Sequence, residues 1–309
     1  MIDVFICTYN PNYEYLRRTV DSILLQDLNN NDWSLTIIDN NSTQPVAYID
    51  FIKQLKVNVV IEKKQGLTAA RACAERISKG ELLVFVDDDN ILAKNYLSQV
   101  QQIFNDDNIG IVSGNIVPEY QKKPEKWFFK FENMLAIRKL EVHDRFIKST
   151  SIQYNENFPI GAGMAIRKSI LSAYYNDHIT SDNYIDGRKG DELMSSEDLD
   201  LDYFALSQNY TIGLFGGMKL THIIPAGRLT KEYLAKLAVG NIKSTYLVNA
   251  KWSPIFKTTL FGYFEMSRLS IFLRVQAFKL LKFRESYFIR YSIFKELYLT
   301  KLQYPIKQK

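Results

Sequence analysis

Scarcity outlines this 309-residue chain before any motif does. It has two cysteines, Cys7 and Cys73, both in apolar stretches. That excludes a disulfide framework and suits a reducing compartment. None of its apolar runs reaches the roughly 18–20 residues that a membrane-spanning helix needs. Residues 2–7 already read as a core strand, with no basic n-region or cleavage site ahead of them, so no secretory signal is expected and the expected location is cytoplasmic. Internal repeats and low-complexity linkers are missing, and no nucleic-acid recognition module accompanies the basic residues. What is present, 46% hydrophobic and 24% charged residues, can bury a core as one large domain or two modest ones.

Charge is unevenly spread. Residues 251–309 hold twelve Lys/Arg against three Asp/Glu, a net of +9, which leaves −4 for the first 250 residues in a chain of +5. The tail interleaves those bases with aromatics such as Phe272, Phe278, Phe283, Tyr287 and Tyr291. Such a helix either lies on an anionic bilayer, peripherally at the inner face of the membrane, or packs against the body or a second copy.

The first half alternates between two periods. Strand-like runs fall at residues 4–7, 35–38, 57–61, 82–86 and 109–112, with amphipathic helical stretches at 13–25, 46–55, 67–77 and 96–104 between them. The pattern predicts an α/β fold with a mostly parallel sheet covered on both faces, where ligands bind beyond the carboxyl ends of the strands. Farther along, residues 124–139 read as an aromatic amphipathic helix, 176–191 as a polar loop, 212–215 and 220–223 as strands, and 229–250 as a helix. The expected division is a body of residues 1–250, halved near 115, and a helical extension of 251–309.

The chemistry-bearing residues fall where such a sheet would use them. Asp87-Asp88-Asp89 close an apolar strand, and three acids at one strand end repel unless something cationic shares the site. Asp87 and Asp89 can converge hard oxygens on Mg²⁺ or Mn²⁺ held jointly with substrate phosphates, whereas one of them alone could simply cap a helix. Asp39, before Asn40-Asn41-Ser42, either accepts a hydrogen bond from a base or ribose or makes an Asx turn. Gly66 to Arg71 opens a helix where small residues, the helix N-terminus and Arg71 suit a diphosphate, though tight helix–sheet packing would use the same residues. Glu197-Asp198 start a helix, either as a general base in a cleft or as dipole-favoured acids. His222 ends a strand, as a metal ligand or a satisfied core residue. Arg228 nearby meets phosphate or solvent.

Taken together these residues resemble the family-two inverting glycosyltransferases with the A-type nucleotide-diphospho-sugar transferase fold, over roughly residues 1–250. The resemblance rests on Thr8-Tyr9-Asn10, Asp39 to Ser42, Gly66 to Arg71, the Asp87-x-Asp89 pair, Gly161 to Ala165, Glu197-Asp198 and His222. It implies that Tyr9 and Asp39 contact the nucleotide base, with Thr8, Asn10, Gly66 and Asp88 around the same ligand. Arg71 would meet the diphosphate, Asp87 and Asp89 would hold the ribose and the metal-bound diphosphate, and His222 and Arg228 would close over it. Asp198 would be the base and Glu197 would lie beside the acceptor. Where many members carry a bulkier polar residue between the glycines of the acceptor loop, this chain has Ala162.

The implied reaction moves a sugar from a nucleotide-diphosphate donor, by default a UDP-sugar, to a hydroxyl of a glycan or lipid-linked acceptor, as in bacterial surface-polysaccharide synthesis. Two other classes compete. A sugar nucleotidyltransferase would carry a Gly-rich, Arg-containing loop after the first strand, and Thr8 to Tyr13 has neither residue. A silent nucleotide-sugar-binding scaffold would need misplaced geometry, since every candidate catalytic position holds a competent residue.

Overall fold

The computed structural model describes residues 1–140, 145–147, 157–178, 193, 195–253 and 266–304. Strands β1 (Ile2–Thr8), β2 (Trp33–Asp39), β3 (Asn58–Ile61) and β4 (Leu82–Val86) alternate with helices α1 (Tyr13–Leu24), α2 (Asp50–Leu55) and α3 (Leu67–Ile77), while α4 (Tyr96–Ile103) follows β4. Alternate residues on one strand face two different cores. Val4 and Ile6 pack with Val84 and Val86 on one face, and Phe5 packs with Leu83 and Phe85 on the other. This two-sided burial is why the strands read as continuous apolar runs.

β1 pairs in parallel with β2 and with β4, in a register that sets Thr8 against Asp39 and Ile6 against Val86. The segments that follow the three strands therefore emerge level, at one edge. The remaining strands are β5 (Asn90–Leu92), β6 (Ile109–Tyr120), β7 (Arg145–Ile147), β8 (Met164–Arg167) and β9 (Thr211–Ile224). They extend the sheet in the order β3-β2-β1-β4-β8-β6-β9-β5, with β7 on β9. β8 runs antiparallel between β4 and β6, whereas β6 and β9 are parallel.

Several expected elements take a different form. Residues 212–215 and 220–223 belong to one strand, β9, whose pairing with β6 shifts between Gly114 and Asn115. Gly114 leaves no room for a side chain, since an added Cβ would lie 1.8 Å from the Met218 carbonyl oxygen. The stretch 46–55 divides because Ile49 is extended, giving a 3-10 turn at Val46–Tyr48 and then α2. The stretch 124–139 is not a helix but two 3-10 turns, Phe128–Lys130 and Glu132–Leu135, ended by Ala136 in a left-handed conformation at φ 57°. Burial of Phe128, Phe131 and Leu135 against Leu234 and Leu237 replaces helical hydrogen bonding there. The expected loop 176–191 lies mostly outside the described residues, as does His143.

Helix α5 (Lys168–His178) follows β8, and α6 (Glu197–Ser207) precedes β9. The carboxylate of Asp200, fully buried, accepts hydrogen bonds from Tyr174 of α5 at 2.7 Å and from Lys251 and Trp252 of α7 (Lys231–Trp252) at 2.7 and 2.6 Å. These bonds pin the first turn of α6. At the C-terminal end, α8 (Arg268–Leu281) and α9 (Glu285–Gln303) form a helical pair. Ile289 of α9 is buried among Leu234, Leu237 and Ala238 of α7. The basic tail thus packs on the body through α9, each buried aliphatic side chain contributing about 1.5–3 kcal/mol.

Candidate functional site

A cleft of about 740 Å³ opens at the carboxyl edge of the parallel strands. Thr8, Asn40, Asp87, Asp88 and Asp89 line its sheet side, and Gly161, Glu197 and Asp198 line the opposite wall. Strand ends leave polar groups unpaired, and loops there are free to face a ligand.

The first two loops brace one another. The Asn10 backbone N–H donates to the Ser42 hydroxyl at 2.9 Å, and the Asn10 side-chain carbonyl accepts from the Thr43 N–H at 2.8 Å. Asp39, 1% exposed, accepts from the backbone N–H groups of Ser42 and Val46 at 2.9 and 2.8 Å. Asp39 thus makes an Asx turn with its own loop, and the wall at these positions is formed by Thr8, Tyr9 and Asn40. Asn40, a residue the sequence did not single out by itself, donates to the Glu62 and Lys64 carbonyls and accepts from the Gly66 N–H at 2.8 Å. That bond holds Gly66 at φ 128°, ahead of α3.

Arg71 is the central cation. It is 4% exposed, its Nη1 lies 3.5 Å from Glu197 Oε1, and its guanidinium sits over the Phe85 ring at 5.4 Å. A Cβ on Gly161 would come within 2.3 Å of Arg71 Nη2, so glycine is required for this approach. Burial lowers the affinity of Arg71 for its proton, but the surrounding Glu197, Asp87 and Asp198 carboxylates outweigh it and keep the guanidinium charged.

Asp198 stands at the first turn of α6, which Asp200 pins below and Ser196 pins above through hydroxyl contacts with Ser244 and Thr245 at 2.8 and 3.0 Å. Its carboxylate accepts from the Gly161 N–H at 3.1 Å and the Leu199 N–H at 2.8 Å. Burial raises its proton affinity, opposed by Arg71 and by those two amides. One turn behind, the carboxylate of the fully buried Asp202 has no hydrogen-bond partner among the described residues, and burial plus the Asp198 charge raise its proton affinity well above the ordinary carboxylate range. The acceptor loop is shaped by Gly163, at φ 69°, whose carbonyl accepts from the Tyr96 hydroxyl at 2.6 Å. Cys7 lines the same cleft, but burial pushes its thiol up to about 12, which leaves it inert as a nucleophile.

Each aspartate of the triplet has its own partner. Asp88 accepts from the Thr8 hydroxyl. Asp89 faces Arg228 Nη1 at 3.1 Å and His222 Nε2 at 3.4 Å, brought there because β5 pairs antiparallel with β9 and sets Asn90 against His222. Arg228 is thus a cation that the sequence argument demanded and did not identify as such. Asp87 lines the cleft and lies within the field of Arg71.

The donor set suits a hard divalent ion in chemistry: two carboxylates at one strand tip, with His222 Nε2 3.4 Å from Asp89. Among the described residues no three such side chains already surround one point. Substrate oxygens and water would have to complete any coordination shell.

Burial, and then the charges of Asp89 and Asp87, raise Asp88 from 3.8 to about 7. An acid with a raised value in the folded chain binds its proton more tightly there than in the unfolded chain. Between pH 3.8 and about 7, the contribution of Asp88 to stability therefore falls as pH rises. Thermal melts of the metal-free protein should show this decline, and Asp88→Asn, which keeps an acceptor for Thr8, should flatten it. An unchanged slope in that variant would rule out Asp88 as its source.

Residues outside the recognised motifs complete the cleft. Lys130 and Arg138 come from the segment expected to be a helix, and Arg274 and Arg290 come from α8 and α9. Their basic character was visible in the sequence, but their convergence was not, because it depends on a bridge between Ile116 and Arg138 and on the packing of α9 against α7.

Comparison with known proteins agrees with this geometry. The chain is 22% identical over 265 residues to an uncharacterized glycosyltransferase of Methanocaldococcus jannaschii, covering 82% of this chain and 79% of that protein. It is 29% identical over 117 residues to the poly(ribitol-phosphate) β-N-acetylglucosaminyltransferase TarP of Staphylococcus aureus, covering 37% of this chain and 36% of TarP. Among solved structures, residues 1–349 of S. aureus TarS in complex with UDP superpose with a TM-score of 0.53 at 15% identity, over 99% of this chain and 92% of that one. The same TarS fragment with UDP-GlcNAc gives 0.53 at 13% identity, over 98% and 91%. The fold is therefore the A-type fold expected above. The family model described as Glycosyl transferase family 2 matches residues 3–175, more than half of the chain, and this protein belongs to that family.

Proposed function

We propose that this chain transfers a sugar from a nucleoside-diphosphate donor to an acceptor hydroxyl by a single, inverting displacement, with Asp198 as general base. The observation that carries the reading is the placement of the Asp198 carboxylate. Two backbone amides fix it on the cleft wall, and the Arg71 guanidinium lies beside it.

The acceptor oxygen attacks the anomeric carbon from the face opposite the diphosphate as its proton passes to Asp198. The bond from the anomeric carbon to the diphosphate oxygen breaks, and the electron pair leaves with the diphosphate. Negative charge grows on that leaving group, where Arg71 and Arg228 offer preorganised positive charge. When bound, Mn²⁺ or Mg²⁺ would be held by Asp87 and Asp89 with His222 alongside, and would supply Lewis-acid stabilisation of the diphosphate. Glu197 keeps Arg71 in place and lies beside the acceptor. An α-linked donor then yields a β-linked product.

Uridine diphosphate as the carrier is supported by the UDP and UDP-GlcNAc complexes of TarS. A glycan or lipid-linked acceptor, with a place in surface-polysaccharide synthesis, is supported by the name of TarP and by the basic residues Lys130, Arg138, Arg274 and Arg290 around the cleft. The test is thermal-shift screening of nucleotide sugars with Mn²⁺ and with EDTA. A donor at a hundred times its Kd should stabilise the fold by about 2.7 kcal/mol. Stabilisation by no nucleotide sugar would overturn the reading, and equal stabilisation in EDTA would remove the divalent ion from it.

A further inference from the structure

Helix α8 is apolar on two sides, and among the described residues only one of them is packed. Its inner stripe is packed: Ile271 is fully buried, Phe278 stacks on Phe294 of α9 at 5.4 Å, and Val275 lies against the same cluster. Its outer stripe runs through Leu269, Leu273 and Leu280 to Phe283 just past the helix end, positions that helical periodicity places on one line. Leu280 is 79% exposed and Phe283 is 68% exposed, and Phe272 sits on the shoulder of the ridge. Among the described residues no helix is long and apolar enough to cross a membrane.

The charges around this ridge select its occupant. Residues 266–284 contain Arg268, Arg274, Lys279, Lys282 and Arg284 and no acid at all. Arg274 and Lys282 turn toward α9, over Phe294 and Tyr291, but a second copy docking isologously through the same ridge would still set Lys279 and Arg284 against their own equivalents. A surface that offers apolar depth and negative charge over a broad area matches it instead: an anionic lipid bilayer.

We infer that the outer face of α8 is a membrane-docking surface, with its leucines and Phe283 entering the acyl boundary and its bases meeting anionic headgroups. Arg274 and Phe278, on the same helix, line the catalytic cleft. Docking therefore sets the mouth of the cleft at the bilayer interface, where a lipid-carried acceptor would present its hydroxyl; that last step rests on the transfer reading above, and the docking itself does not.

The test uses the full chain without donor, sedimented with vesicles of phosphatidylcholine alone or mixed with phosphatidylglycerol. Wild type should pellet with the mixed vesicles and be released by salt. Leu280→Ser/Phe283→Ser should reduce its partitioning at least about tenfold, from lost apolar burial. Lys279→Glu/Lys282→Glu should do so by at least about tenfold, from lost headgroup attraction. Neither pair lines the cleft, so melting temperature and nucleotide-sugar binding should stay at wild-type values, which separates failed docking from a failed fold or a failed active site. Equal partitioning onto both vesicle types, or none, overturns the inference. So does a dimer in light scattering that Leu280→Ser/Phe283→Ser dissolves while vesicle binding persists.

Discussion

Asp198→Asn should bind donor as wild type does and turn over at least about a hundredfold more slowly, the usual scale for removing a general base. The substitution keeps the shape of the side chain and one acceptor oxygen, so one of the two amide bonds, from Gly161 to Oδ2 or from Leu199 to Oδ1, is retained. It removes the lone charge able to take the acceptor's proton from that position. Steady-state kinetics with a soluble acceptor, set beside calorimetry with the donor, separates the two effects. Turnover within a few-fold of wild type would remove Asp198 from the mechanism. The wild-type pH profile is a second check. Burial raises Asp198 above the ordinary carboxylate range, and only its deprotonated form is a base. Activity should therefore rise with pH through that raised value, and the acidic limb should vanish in Asp198→Asn.

Arg71→Met should damage both the fold and the chemistry. The pair it breaks is buried on both sides, at 5% and 8% side-chain exposure. Removing Arg71 takes a cation from the buried Glu197 carboxylate, a loss of about 3 kcal/mol in denaturant melts. The missing guanidinium also lowers the barrier to protonating Asp198, because Arg71 is the largest influence holding its proton affinity down. The acidic limb of kcat/KM should move to higher pH, and maximal kcat should fall by about a hundredfold as leaving-group stabilisation is lost. Arg71→Lys, which restores charge without the planar fork, should return the limb toward wild type while leaving kcat low. A stable Arg71→Met variant with an unmoved limb would show that Arg71 serves packing against Phe85 alone.

The two predictions depend on one coupled arrangement. Gly161 allows Arg71 its position by lacking a side chain, and its own N–H orients Asp198. Asp200, on the same helix, spends its charge on Tyr174, Lys251 and Trp252, which keeps the Asp198 turn from shifting. Neighbouring acids with alternating tasks are what a single acidic stretch, Glu197 to Asp202, becomes once one face of α6 meets the cleft and the other meets α5 and α7.

Local pattern determined a good deal about this protein. Apolar runs of four to seven residues ending in Thr8, Asp39 and Asp87 announced buried parallel strands, since burial on both faces demands uninterrupted hydrophobicity. Because parallel strands in level register deliver their ends to one edge, the meeting of Thr8 and the aspartate triplet at one cleft was legible before any coordinates, whereas Arg71 and Glu197-Asp198 were placed there by the family resemblance. Tertiary structure decided what each group does there. Asp39 turned inward to its own loop, Arg228 rather than a metal alone answered the charge of Asp89, and residues 124–139 gave up a helix for aromatic burial. The reason is physical: strand and helix periods are written between neighbours a few residues apart, but the partner of a buried charge lies up to 139 positions away, as Arg228 does from Asp89, and only packing chooses it.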